Sequence, residues 1–158
     1  MTRRLRLAPA VTALALLVLA GALSACTPGN AAVEHARGQI GTRYTYGGST
    51  PKSGFDCSGL TSWAWGQAGV TIPRTSSGQF DWTDRVSRSQ LQPGDLVFYS
   101  SSGPGGRVSH VALYAGDGTI IHARNSSMPV REDRLDSYWT SNLVGYGRIP
   151  ASAMPRSG

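Results

Sequence analysis

The sequence predicts an α+β protein, with helices first and an antiparallel sheet after them. Two observations carry this. Apolar residues recur at helical spacing early in the chain, at Val33, Ala36 and Ile40 and again at Leu60, Trp63, Ala64 and Ala68. Later come short apolar runs broken by Gly, Pro and Ser, in "LQPGDLVFY", "VSHVALYAGDGTIIHAR" and "LVGYGRI". A block of helices followed by a block of strands, without repeats, makes an α+β fold with an antiparallel sheet.

The elements follow in order. "TPGN", residues 27–30, reads as part of a short tether over 26–31. The first helix is expected to start at Asn30 as N-cap and to stop at Gly41. His35 falls in it as a solvated residue with no assigned role. "TRYTYGGSTPKSG" is a loop. The second helix starts at Asp56, a good N-cap, and runs to Gly69, with its apolar stripe in the core. A short helix is expected near Ser76–Phe80. A Pro-Gly turn leads into a strand over Leu96–Tyr99, with Asp95 as a turn residue. "SSSGPGGR" is a flexible loop, and two strands flank the Gly-Asp-Gly turn at 116–118. A last strand covers "LVGYGRI", and residues 151–158 are expected to be a disordered tail. The domain proper spans 32–150.

Before it lies an export signal. Arg3, Arg4 and Arg6 form a basic start, and "VTALALLVLAGAL" is an uncharged apolar run that ends in small residues. The run falls short of the roughly 20 residues that a spanning helix needs. "LSAC", Leu23 to Cys26, resembles the lipobox of bacterial lipoproteins, which implies cleavage after residue 25 and lipid on Cys26. Cleavage removes three arginines and lowers the formal charge from +6 to +3. That balance suits an anionic cell wall. It is too weak for a nucleic-acid partner, and no basic run interleaved with aromatics supports one.

The sequence has two cysteines. With lipid on Cys26, Cys57 is alone, and a lone cysteine in an exported chain is either a reactive thiol or a small buried hydrophobe. Its place at a helix start favours the thiol, because the partial positive charge there favours a thiolate. His110 and His122 lie six residues either side of Gly116. A hairpin centred on Gly116 makes them direct cross-strand partners on one face, with Cβ atoms about 4.5–5.5 Å apart. Cys57, His110 and His122 then suit nucleophile, base and orienting group. Two other readings stand beside this one. The trio could be structural, or it could ligate zinc, although no Cys-x-x-Cys or His-Glu-x-x-His spacing is present.

"GTRYTYGG", "GFDCSGL", "IPRTSSGQ", "LQPGDLVFY", "SHVALYAGDG" and "IIHA" resemble, in order, the blocks of the NlpC-type cell-wall cysteine peptidases, from Val33 to Ile149. The resemblance implies a papain-like fold, no metal or other cofactor, and cleavage of peptidoglycan stem peptides between γ-D-glutamate and the following diamino acid. It assigns Cys57 as nucleophile, His110 as base and His122 as the third residue. Tyr44 helps to hold the oxyanion, and Tyr46 stands where the family has tryptophan. Asp56, Ser58 and Ser76 match positions that hold a stem's free amine in some members, while Asp56 equally suits a helix cap. Arg74 suits either the surface or a substrate contact. The implied protein is a monomer, anchored by lipid at the outer face of a bacterial membrane. An amidase or acyltransferase on the same fold is an alternative, as is a non-catalytic wall-binding lipoprotein.

Overall fold

The computed structural model describes residues 27–136 and 140–155. The signal segment and Cys26 lie outside them. Helix α1 spans Pro28–Arg37, and a two-stranded hairpin pairs β1, Ser49–Thr50, with β2, Gly54–Phe55. Helix α2 spans Cys57–Gln67 and α3 spans Ser76–Trp82. Strands β3, Asp84–Val86, β4, Leu96–Tyr99, β5, His110–Gly116, β6, Thr119–His122, β7, Arg131–Arg134, and β8, Leu143–Arg148, form one antiparallel sheet in the order β3-β8-β4-β5-β6-β7.

Strand alternation divides the apolar residues between two layers. Leu96, Phe98, Val111, Leu113 and Ile121 face α1 and α2, where Ala32, Val33, Ala36, Leu60 and Ala64 meet them. Val97, Tyr99, Ala112 and Ile120 form a smaller cluster on the opposite face. The centre of the sheet is therefore buried on both sides. The helix that begins at Cys57 and the strand that begins at His110 pack together in the larger layer, through Leu60 and Ala64 on one and Val111 and Leu113 on the other.

Helix α1 starts earlier than expected. Thr27, not Asn30, is the N-cap, its hydroxyl accepts from the Asn30 N–H at 3.3 Å, and Pro28 opens the first turn. The expected tether is thus largely helix. Gly29 packs so closely on Pro93 that a Cβ would strike the Pro93 carbonyl. The helix ends at Arg37, so Ile40 lies beyond it and is 46% exposed. His35 is half-buried, with its ring edge-on to Trp63 at 6.2 Å. Residues 151–155 are not disordered: Ala151–Ala153 form a 3-10 turn, and Met154 packs against the core.

The hairpin register also differs. Leu113 pairs with Ile121, Tyr114 with Ile120 and Gly116 with Thr119, with a bulge between Tyr114 and Gly116. Asp117 and Gly118 form the turn, with φ of 50° and 70°. Positive φ at both positions marks the type I′ turn that Asp-Gly favours. Carried on from Leu113–Ile121, the register sets His122 opposite Ala112 and His110 opposite Arg124. The two histidines are diagonal neighbours, not direct partners. The shift is two residues, so both stay on the face expected.

Candidate active site

Asp56 builds the start of α2. One carboxylate oxygen accepts from the Gly59 N–H at 2.6 Å and the other from the Gly47 N–H at 3.0 Å. The Arg74 guanidinium grips the same carboxylate with two bonds, at 2.9 and 2.8 Å. Arg74 also donates to Ser58 Oγ at 3.0 Å and to the Gly48 carbonyl at 3.2 Å. Asp56 is therefore a cap locked by a bidentate ion pair, and its charge is met within the chain. Gly59 lets α2 rest on the entrance loop, since a Cβ there would run into the Gly48 carbonyl. Gln79 is fully buried and ties α3 to α2: its amide donates to the Ser58 and Pro73 carbonyls and accepts from Thr61 Oγ1.

Cys57 is the first residue of α2, half-buried and not in a disulfide. Burial pushes its pKa up, and the Asp56 charge adds to that. The backbone N–H groups of Val111, Ser58 and Cys57 pull the other way without prevailing. The helix start alone suggests a ready thiolate, but here desolvation outweighs it, and the resting group is a thiol. The Val111 amide belongs to the residue after His110, so the sulfur lies against the base-bearing end of β5.

His110 is buried, and its Nε2 lies 2.9 Å from His122 Nδ1. His122 Nε2 lies 3.0 Å from Asp133 Oδ2. Arg131 holds the other oxygen of Asp133, from Nε at 2.8 Å and from a terminal nitrogen at 2.5 Å. Both imidazoles have their pKa values lowered. For His110 the causes are burial, then the neighbouring His122 and Arg124 charges; for His122 burial prevails over Asp133, which pulls upward.

The protons can be placed by logic. An ionised Asp133 only accepts, so His122 Nε2 carries hydrogen. A neutral His122 then has a lone pair on Nδ1, so His110 Nε2 is the donor. That leaves His110 Nδ1 as the basic nitrogen. Each histidine spends a ring nitrogen on the other, and among the described residues no three His, Cys, Asp or Glu side chains gather as a metal site.

Cys57 lines a cavity of about 410 Å³ with Tyr44, Tyr46, Asp56, Ser58, Arg74 and Ser76. The structure thus brings together the residues expected on the nucleophile side. Tyr44 is half-buried and bridges to Phe55 by its backbone. Burial, then the Cys57 and Asp56 charges, raises the pKa of its phenol, which stays a donor. Tyr46 is 91% exposed at the rim. Ser58 is buried beneath Arg74, and Ser76 opens α3 behind the Thr75 cap. Asp95 is structural: it is buried and pairs with Arg148 at 2.7 Å.

Sequence reasoning missed Asp133, Arg131 and Gln79. The first two lie on β7, "REDR", whose alternation sets Arg131 and Asp133 on one face, but a run of four charges carries no apolar strand signal. Gln79 reads as surface on a short helix.

The NlpC/P60 family model matches residues 41–148, which include every side chain of the site. A probable endopeptidase of Corynebacterium glutamicum is 48% identical over 118 residues, covering 74% of this chain and 53% of that protein. A bifunctional muramidase/DL-endopeptidase of Bacillus subtilis is 39% identical over 109 residues, covering 69% of this chain and 33% of that one. The chain thus spans about half or less of these relatives' lengths. The crystal structure of an NlpC/P60 family protein from Bacillus cereus superposes with a TM-score of 0.73 at 31% identity, over 80% of this chain and 40% of that one. Helices packed on an antiparallel sheet make the papain-like α+β fold of these proteins, and the chain belongs to the NlpC/P60 family of cysteine peptidases.

Proposed function

We propose that this chain is a peptidoglycan endopeptidase that hydrolyses a stem peptide between γ-D-glutamate and the next diamino acid, from a lipid anchor on Cys26. The observation that carries the reading is the run from His110 through His122 to Asp133, which begins beside the amide that touches Cys57. The B. subtilis relative is named as a DL-endopeptidase, which supports a bond of that stereochemistry.

The steps follow from the groups present. His110 Nδ1 takes the thiol proton as the Cys57 sulfur attacks the scissile carbonyl. The carbonyl oxygen gains the negative charge, and the Tyr44 hydroxyl and the Cys57 N–H donate to it. The new imidazolium is held by His122, whose other nitrogen donates to Asp133. His110 passes its proton to the leaving nitrogen, the C–N bond breaks, and a thioester remains. Water, deprotonated by His110, attacks the thioester; the C–S bond breaks, the acid product keeps the water's oxygen, and the Cys57 sulfur takes the proton back from His110.

Asp56 bears on the kind of stem. Its carboxylate already accepts from Gly59, Gly47 and Arg74, which leaves little for a substrate amine. We therefore favour intact wall, in which the stem amine is already bonded to sugar, over free stems.

Mass analysis of wall fragments after incubation tests the reading. Cut stems, absent with Cys57→Ala, are expected. A freed sugar lactyl end would make the protein an amidase, and retained binding without any cut would make it a scaffold.

A further inference from the structure

The Cys57 cavity meets a second one at Ser109. The second holds about 320 Å³ and is lined by Ser100, Ser109, His110, Arg124, Asn125 and Asn142, with Tyr99 and Ser101. Cys57 lines only the first, and His110 only the second. The chemistry divides a substrate between them. The attacked carbonyl, and the acyl residue that carries it, must lie at Cys57. The nitrogen that leaves takes its proton from His110, so the leaving residue must lie on the His110 side.

We propose that the cavity beside His110 seats the leaving diamino acid of the stem, and that Arg124 binds a carboxylate of that residue. This rests on the endopeptidase reading above. With His110 neutral, Arg124 is the one full charge among the described residues of the lining, and none of those residues is acidic. Arg124 follows β6 by two residues; the β5–β6 register, carried on past the strand end, sets it opposite His110, and both residues line this cavity. The Arg124 charge is felt at both rings. Asn125 and Asn142 add amide groups suited to a polar ligand.

A leaving amino acid offers such a site few anions. Its amine is in the scissile bond, so a carboxylate is what remains, either the one on its side chain or its main-chain one when the stem ends there. A guanidinium fork matches a carboxylate with two bonds and repels an ammonium. The arrangement favours a diamino acid whose side chain ends in a carboxylate beside its ammonium, as in diaminopimelate, over lysine, whose side chain ends in the ammonium alone.

The test uses the full-length chain in detergent and four defined stems: tetrapeptides with diaminopimelate, with side-chain-amidated diaminopimelate or with lysine at the third position, and a tripeptide ending in lysine. kcat/KM is measured for wild type, Arg124→Gln and Arg124→Lys. Selectivity is a ratio within one preparation, so partial unfolding of a variant does not move it. We expect diaminopimelate to be preferred over its amide by roughly tenfold or more, a preference lost in Arg124→Gln and kept in part by Arg124→Lys. An Arg124-dependent preference for the lysine tripeptide over the lysine tetrapeptide also supports the proposal and identifies the main-chain carboxylate. Equal rates on all four stems, or a preference unchanged by Arg124→Gln, would overturn it while the endopeptidase reading stands. Cleavage of none by wild type would overturn both.

Discussion

His122 is fully buried, and its Nε2 meets the Asp133 carboxylate at 3.0 Å. This contact fixes the tautomer of both histidines and makes His110 Nδ1 the basic nitrogen. Replacing Asp133 with Asn keeps an acceptor but removes the charge that steadies the imidazolium. We expect kcat to fall by about 10²-fold with little change in KM, because the lost interaction belongs to the transition state. Steady-state kinetics on one stem substrate check this, and an equal rise in KM would contradict it.

Cys57→Ala should abolish cleavage and leave the melting temperature within a few degrees of wild type, since alanine keeps the helix start. His110→Ala should be nearly as damaging. His122→Asn should be milder, because an amide oxygen can still accept from His110 Nε2. Equal and severe losses from both histidine changes, reversed by added zinc, would instead indicate a metal site.

Burial sets the pH window. His110 and His122 are held below the ordinary 6.5 and Cys57 above its ordinary 9.0. Below about pH 6.5 the unfolded chain binds protons at these histidines that the folded chain refuses, so stability falls as pH falls. Above about pH 9 the unfolded thiol loses a proton that the folded one keeps, so stability falls as pH rises. Thermal melts from pH 4 to 10 should show a plateau between these limits. His122→Asn should flatten the acid side, and Cys57→Ala the alkaline side. An acid limb unaltered by His122→Asn would count against burial of the neutral ring as its cause.

Arg74 guards the identity of Asp56. In Arg74→Gln the carboxylate loses its bidentate partner and becomes available to a substrate amine. Wild type should favour sugar-linked stems, and the variant should gain rate on free-amine stems relative to them. Competition between the two stems in one reaction, followed by mass spectrometry, reads the ratio. A wild-type preference for the free amine, lost in Asp56→Asn, would make the protein a recycling enzyme instead.

Fatty-acid labelling tests the anchor. Label should be lost in Cys26→Ser and kept in Cys57→Ser, and label surviving in Cys26→Ser would refute the lipobox reading.

What could be read from sequence was what local chemistry decides. Asp56 as cap, Cys57 at the first helical position and the strand Leu96–Tyr99 all follow from neighbouring residues, and all stand where expected. The pairing of His110 with His122 needed only parity, which a two-residue error leaves intact. The register itself depended on a bulge near Ala115, which has no sequence signature. Asp133 depended on a charged edge strand that forms because β6 offers it a partner, not because its own residues favour it. The upward shift at Cys57 came from packing, which a helix-end argument does not contain.

One consequence of the Gly59–Gly48 contact concerns how such enzymes can diverge. Bare backbone touches bare backbone there, so the spacing between nucleophile and entrance loop has no side chain through which it can be adjusted. That bank of the cleft is inherited as a unit. The other bank, formed by the loop before β5 and by Arg124, Asn125 and Asn142, presents side chains to the cleft. New substrate preferences in descendants of this chain should therefore arise by replacement on that bank, while the thiol side stays constant.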